Sequence, residues 1–234
     1  MLWNDDVLFI HVPKTGGMAT TNYLLDVLEP PFFLSLPEGH SGERPGVTLV
    51  EGIRHERLDE AVELLARHGR TLESFKVILA GIRNPYDLEI SRFGYLRKGH
   101  PWDSGKAQDL AMAGDFETFA RHATFNGKTY PALEEYYETD ARRPGNLRLI
   151  RQEHIEEDLG AALAEAGIRV SGPVPVANAS EHGSREDYIT APAERAIYDR
   201  FRWFFDHGYY ERIEAPRPRE TLWRRWMRSY LGNR

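Results

Sequence analysis

The sequence predicts an α/β fold in which a central parallel sheet is flanked by helices on both faces. Short apolar runs alternate along the chain with longer segments of helical period. The apolar runs are continuous, which is typical of strands buried on both faces. A length of 234 residues suits one core of this kind. We therefore expect one domain over residues 1–212 and a short tail over 213–234.

The first predicted unit is a strand, a glycine loop and a helix. Residues 7–11 form an apolar run that ends at Pro-Lys-Thr-Gly-Gly over 13–17. Helical spacing follows, carried by Tyr23, Leu24, Val27 and Leu28. Residues 30–46 are rich in Pro, Gly and Ser and predict a loop, and residues 47–50 predict a second strand.

The second and third units repeat this order. A helix is predicted by one apolar face and is ended by Gly69; the face is formed by Leu58, Val62, Leu65 and Ala66. Residues 75–82 form the strongest candidate for a buried strand. Pro85 then occupies a position typical of the first turn of a helix.

The C-terminal half continues the alternation. We expect two helices over 115–137, a strand over 147–150 and a helix over 155–166. Thr190 and Pro192 predict the N-cap and first turn of a further helix, whose apolar face consists of Ile197, Phe201, Phe204 and Phe205.

The tail over 213–234 predicts a basic amphipathic helix. Its apolar stripe contains Trp223 and Trp226, and arginines such as Arg224 and Arg228 lie opposite. Such a helix is either a surface for an oligomer contact, a partner or a membrane, or a terminal helix packed back on its own domain.

Composition excludes several classes of protein. A net charge of −6 gives no general attraction to nucleic acid or to an anionic membrane, so we expect no nucleic-acid partner. The absence of cysteine excludes disulfides, thiolate metal sites and a cysteine nucleophile. No apolar run approaches the roughly 18 residues of a transmembrane span, and no signal peptide is apparent. We expect a cytoplasmic protein without a metal site.

The glycine loop over 11–17 predicts a phosphate site. Glycines let backbone N–H groups turn toward an anion, the helix N-terminus adds positive potential, and Lys14 adds a full charge. The loop is P-loop-like, but Lys14 and Thr15 precede the glycine pair, whereas in a Walker A loop they follow the glycines. This order disfavours a nucleotide triphosphatase. The alternative is a glycine-rich turn with an incidental lysine.

A second candidate anion site lies at the end of the central strand. Arg83 leaves the strand and Ser91 follows two helical turns later, so both can face one anion. The arginine fork and the serine hydroxyl are donors suited to phosphate.

Together the two segments resemble the sulfotransferases that use 3′-phosphoadenosine 5′-phosphosulfate (PAPS), and in particular the carbohydrate O-sulfotransferases and their bacterial relatives. The resemblance rests on His-Val-Pro-Lys-Thr-Gly-Gly over 11–17 and on Arg-Asn-Pro-Tyr-Asp over 83–87, with a serine at 91. It extends from about residue 7 to residue 210.

The resemblance implies a cofactor, a reaction and site residues. PAPS would bind without a metal and leave as PAP (adenosine 3′,5′-bisphosphate), and its sulfuryl group would pass in line to a hydroxyl of a glycan, glycolipid or small metabolite. Arg83 and Ser91 would hold the 3′-phosphate. The loop would hold the 5′-phosphosulfate through Lys14, Thr15, Gly16, Gly17, Met18 and Ala19. Lys14 would also be catalytic, because it can stabilise charge on the bridging oxygen.

The reaction also requires a base, which in related enzymes often follows the second strand. Glu51 and His55 are the two candidates, and the sequence leaves the choice open. His11 belongs to the loop and is expected to be a packing residue.

One departure from the family loop keeps other functions open. The family usually continues with Thr-Ser where this chain has Met18 and Ala19, so two hydroxyls are missing and affinity for the cofactor is expected to be lower. Thr15, Thr20 or Thr21 can replace them in part. The alternatives are a nucleotide kinase of P-loop type and a catalytically silent nucleotide-binding protein.

Overall fold

The computed structural model describes residues 1–39, 44–99, 105–123, 132–139, 142–170, 172–174 and 184–214. The chain divides into two compact units. The first comprises Met1–Asn84 and Pro131–Ser180, and the second comprises Pro85–Tyr130 and Glu181–Arg234. Residues 215–234 lie outside the described residues, so the predicted tail helix stays a prediction, as does the boundary at residue 212.

The first unit is built on a six-stranded sheet. Its strands are β1 (Leu2–Trp3), β2 (Val7–Ile10), β3 (Phe32–Leu36), β4 (Val47–Glu51), β5 (Val77–Ile82) and β6 (Leu147–Arg151). They lie in the order β4-β3-β1-β2-β5-β6. The neighbouring strands pair in parallel except for β1, which is antiparallel to both β2 and β3. The predicted parallel sheet is therefore confirmed with one exception, a strand too short to show any period in the sequence.

The described residues contain nine α-helices. They are α1 (Gly17–Val27), α2 (Leu58–Arg67), α3 (Pro85–Leu96), α4 (Lys106–Met112), α5 (Phe116–His122), α6 (Ile155–Glu165), α7 (Arg185–Tyr188), α8 (Ala191–Arg200) and α9 (Arg202–Asp206). Short 3-10 turns cover Leu72–Ser74, Leu133–Tyr136 and Gln152–His154. None of these helices has the length and apolar character that crossing a bilayer would need.

Helices cover both faces of the sheet in the first unit, as predicted. On one face, α1 and α6 bury apolar side chains such as Leu24 and Leu163 against Phe9 and Leu79. The other face carries Trp3, because successive side chains of a strand point to opposite faces and Leu2 belongs to the first cluster. His68, which directly follows α2, contacts Trp3 with ring centroids 5.6 Å apart. All of β5 is buried, and it is an inner strand between β2 and β6.

The prediction of a loop over 30–46 was wrong in part, because this segment contains β3. Phe32 and Ser35 are buried in that strand. The two adjacent phenylalanines at its start favour a strand, although the Pro, Gly and Ser residues around them are typical of a loop. In α2 the buried face is formed by Leu58, Ala61, Leu64 and Leu65, and Val62 is exposed. Positions 61 and 62 both fit a helical period, so spacing alone did not separate them.

Within its described residues the second unit contains α-helices and turns but no strand. Pro85 opens α3 as predicted, and Thr190 caps α8 by accepting a hydrogen bond from the N–H of Ala193 at 3.3 Å. The helix predicted after Thr190 is divided at Phe201 into α8 and α9. Of the two helices predicted over 115–137, α5 is present and a 3-10 turn covers Leu133–Tyr136; residues 124–131 between them lie outside the described residues.

Candidate functional site

The glycine loop joins β2 to α1 at the edge of the sheet where the parallel strands end. Gly16 is the N-cap of α1 with φ +84°, and no side chain caps the helix. The first helical N–H with an acceptor in the helix is that of Thr20, which donates to the Gly16 carbonyl at 3.1 Å. The N–H groups of the three preceding helical residues therefore have no intrahelical acceptor. Lys14 is half-buried beside them, so the loop combines backbone donors with a full positive charge.

A threonine and a glycine hold this loop against the central strand. The Thr15 hydroxyl donates to the Val12 carbonyl at 2.9 Å, and its side chain is buried. A Cβ added at Gly81 of β5 would overlap the Thr15 side chain, so only glycine lets the loop lie this close. Tyr137 donates from its hydroxyl to the Gly81 carbonyl at 3.0 Å. Sequence analysis missed Gly81, although a glycine inside a strongly predicted strand is a signal of close backbone approach.

His11 is a packing residue, and it explains why position 17 is glycine. Its buried imidazole fills the space that a Cβ at Gly17 would occupy. The ring stacks on Phe9 with centroids 5.8 Å apart and meets His55 edge-on at 4.7 Å. Burial, and then the neighbouring His55, hold the pKa of His11 well below its ordinary value. His11 is therefore neutral at physiological pH.

His55 lies against the loop in a defined protonation state. Its Nδ1 is 2.7 Å from the His11 carbonyl oxygen. A carbonyl oxygen only accepts, so Nδ1 carries the proton and Nε2 of the neutral ring carries the lone pair. Burial lowers the pKa of His55, although the hydrogen bond to His11 opposes that shift. The structure thus places a neutral imidazole with an accepting Nε2 at the glycine loop.

For Glu51, the other candidate base, the described residues show no contact with the loop. It is exposed at the end of β4, an edge strand separated from β2 by β3 and β1. The residues after it turn back toward α1. That turn is fixed by Glu56, which is buried and accepts hydrogen bonds from the Ile53 N–H at 2.7 Å and from the Ser35 hydroxyl. Gly52 is required there, because a Cβ would overlap both Ser35 and Glu56.

The same turn carries Arg54, which sequence analysis did not assign. Arg54 has φ +71°, in the left-handed region that side chains other than glycine rarely adopt. Its Nη1 lies 4.0 Å from the sulfur of Met18 in the first turn of α1. Its charge also contributes to the low pKa values of His11 and His55. The structure therefore places a further cation, Arg54, beside the loop.

Arg83 directly follows β5 and is tied to the same loop. Its Nη1 donates to the Lys14 carbonyl at 3.1 Å. The N–H of the next residue, Asn84, donates to Glu153 at 2.7 Å in the turn between β6 and α6. Ser91 is buried in α3 and belongs to the second unit. Of the predicted site residues, the structure brings together Lys14 to Ala19, Arg83 and His55 within the first unit.

Two of the three threonines proposed to replace missing hydroxyls, Thr15 and Thr20, are engaged in other hydrogen bonds. Thr15 bonds within the loop, and the Thr20 hydroxyl donates to the Gly16 carbonyl at 3.4 Å. Thr21 is buried, and its hydroxyl has no hydrogen-bond partner within the described part of the chain. No group of three or more His, Asp or Glu side chains among the described residues is arranged to hold a metal ion.

Comparison with known proteins supports the fold assignment. No protein-family model matches the chain, and no curated protein matches it in sequence. Among solved structures it is similar to mouse sulfotransferase SULT7A1, determined in complex with PAP. The two are 14% identical, the match covers 98% of this chain and 89% of the mouse protein, and the TM-score is 0.53. The chain thus has a sulfotransferase fold, which agrees with the resemblance seen in the sequence.

Proposed function

We propose that this protein is a PAPS-dependent sulfotransferase. The observation that carries the proposal is the uncapped N-terminus of α1 with Lys14 beside it and Arg83 bonded to the same loop. The likeness to a sulfotransferase that holds PAP supports it.

The residues of the loop fit a phosphosulfate group. Gly16 and Gly17 carry no side chain, so an anion can approach the backbone N–H groups of residues 16–19. Lys14, Thr15, Gly16, Gly17, Met18 and Ala19 would hold the 5′ side of the cofactor, largely through backbone donors. Arg83 and Ser91 would hold its 3′-phosphate, which distinguishes this cofactor from ADP and ATP.

When bound, PAPS would supply an activated sulfuryl group to a hydroxyl of the acceptor. The new acceptor O–S bond would replace the S–O bond to the phosphate, and PAP would be released. Lys14 stabilises the negative charge that grows on the bridging oxygen. His55 accepts the proton of the acceptor hydroxyl at Nε2, because Nδ1 is held by the His11 carbonyl. We assign the base to His55 in preference to Glu51.

The proposed acceptor is a glycan, a glycolipid or a small metabolite, and the proposed place of action is the cytoplasm. The acceptor class rests on the likeness of residues 11–17 and 83–91 to the carbohydrate O-sulfotransferases. We propose an oligomer or surface contact for the tail over 213–234, on the basis of its basic amphipathic pattern.

Turnover of PAPS in the absence of magnesium tests the proposal. The wild-type protein is incubated with a panel of hydroxyl acceptors, and formation of both PAP and the sulfated product is measured. Lys14→Ala is expected to abolish transfer without lowering the melting temperature. Lys76→Ala is the matched control, because this exposed lysine pairs with Asp6 at the opposite end of β5 and should leave transfer unchanged.

Three results would overturn the proposal or part of it. Full activity of Lys14→Ala would refute the mechanism. Phosphoryl transfer that requires ATP and magnesium would show the nucleotide kinase considered above. Tight binding of PAP without turnover of any acceptor would show a catalytically silent nucleotide-binding protein.

A further inference from the structure

The turn between β4 and α2 holds an arginine in an unfavourable backbone conformation. Arg54 has φ +71°, and an L side chain in that region crowds its own backbone. Glycine would adopt this conformation without that crowding. Non-glycine residues in such conformations persist where the surrounding structure determines them, and they cluster at functional sites.

The surroundings do determine the conformation of Arg54. The residue before it, Ile53, donates its N–H to the buried Glu56 at 2.7 Å. The residue after it, His55, is bonded through Nδ1 to the His11 carbonyl at 2.7 Å. Gly52 packs against Ser35 and Glu56 without room for a Cβ. The backbone on both sides is therefore anchored, and the Arg54 side chain is directed toward α1.

The guanidinium of Arg54 lies beside the glycine loop, at the first turn of α1. Its Nη1 is 4.0 Å from the Met18 sulfur, and a thioether is only a weak acceptor. Met18 is 42% exposed in the first turn of α1, so this contact lies at the surface of the loop. None of the ion pairs found in the described ranges includes Arg54. The nearby rings of His11 and His55 are neutral, and Glu56 is engaged by Ser35 and Ile53.

We propose that Arg54 is a further anion-binding residue of the site and recognises the 5′ side of the nucleotide. On binding, its guanidinium leaves the Met18 thioether and donates to the non-bridging oxygens of the 5′ phosphate group. Met18 and Ala19 offer no side-chain donor at the first turn of α1, and Arg54 supplies one there. This inference rests on the proposed function, because it assigns a role at the same site.

Calorimetric titration with two nucleotides tests the role directly. PAP carries a 5′ phosphate and adenosine 3′-monophosphate lacks it, so their difference isolates the 5′ side. Arg54→Gly is expected to weaken binding of PAP by about 10- to 100-fold, in line with the loss of a charge-assisted hydrogen bond. The affinity of the same variant for adenosine 3′-monophosphate should stay within about twofold of the wild-type affinity, because this nucleotide lacks the 5′ phosphate that Arg54 would contact. Arg54→Lys should retain part of the affinity, because it keeps the charge but not the planar fork.

Two controls separate binding from folding. Glycine suits the backbone of position 54, so Arg54→Gly should melt no lower than the wild type. Arg148→Gln removes a surface arginine that pairs with Glu165, and it should leave both affinities unchanged.

Failure of this inference is distinguishable from failure of the proposed function. If the wild type binds neither nucleotide, the proposed function fails. If the wild type binds PAP and Arg54→Gly binds it equally well, only the role of Arg54 is refuted. An equal loss for both nucleotides would also refute that role, because Arg54 would then not act on the 5′ side.

Discussion

Replacing Gly17 by alanine is expected to displace His11 and disorganise the glycine loop. The added methyl group would overlap the imidazole ring of His11, which is buried and cannot move toward solvent without losing its neighbours. His11 also orients His55 through its carbonyl oxygen. One methyl group at position 17 should therefore affect both the stability of the protein and the geometry of the proposed site.

The size of the effect follows from the contacts that are lost. Overpacking a well-packed site costs about 1–3 kcal/mol. Displacement of the ring also weakens its contacts with Phe9 and His55, each worth about 0.5–1.5 kcal/mol. Since the ring loses only part of these contacts, we expect the free energy of unfolding to fall by about 2–4 kcal/mol. For a chain of this size that corresponds to a melting temperature lower by about 4–16 °C.

Thermal unfolding followed by circular dichroism, together with titration of PAP, measures both consequences. Gly160→Ala in α6 is the matched control: a Cβ there meets nothing within 4 Å, so the helix should be stabilised by up to about 1 kcal/mol. The double variant His11→Ala/Gly17→Ala should be less destabilised than the sum of its single variants, because removing the ring makes room for the methyl group. A Gly17→Ala protein that melts and binds PAP like the wild type would refute the reasoning.

Three further predictions concern the base, the pH dependence and the 3′-phosphate. His55→Gln should lower kcat by about 10²- to 10⁴-fold with little change in affinity for PAP, and Glu51→Gln should not; the reverse pattern would move the base to Glu51. Burial depresses the pKa of His11 below its ordinary value of 6.5, so the unfolded chain binds more protons below that pH. The contribution of neutral His11 to the free energy of unfolding should be complete above pH 6.5 and should fall as the pH drops, by at most about 1.4 kcal/mol per pH unit. His11→Gln should therefore flatten the curve of melting temperature against pH. An unchanged slope would exclude His11 as the cause. Arg83→Ala should reduce the preference for PAP over adenosine 5′-monophosphate, and an equal loss for both nucleotides would argue against its role.

Features with a local sequence signature were predictable. The glycine loop, β5, the first turn of α3 and the cap of α8 each depend on a few adjacent residues, and all four are present. β1 was missed because two residues show no period, and β3 was missed because its neighbours have the composition of a loop. Both strands form because partners distant in the sequence supply their hydrogen bonds.

The choice of site residues depended in part on contacts between distant segments. Lys14 and Arg83 were identified from their own motifs. The proposal of His55 in preference to Glu51 rests on the strand order and on the hydrogen bond from His55 to His11, which are 44 positions apart. Arg54 was missed because the observation that points to it is a contact with Met18, and no sequence pattern marks that contact.

Titration calorimetry without magnesium, comparing PAP with ADP and ATP, tests the central claim most directly. PAP is expected to bind more tightly than either, because the proposed function assigns the 3′-phosphate to Arg83 and Ser91 and the 5′ side to the glycine loop. Binding of ATP alone, and only after magnesium is added, would contradict the account, as would the absence of any binding of PAP.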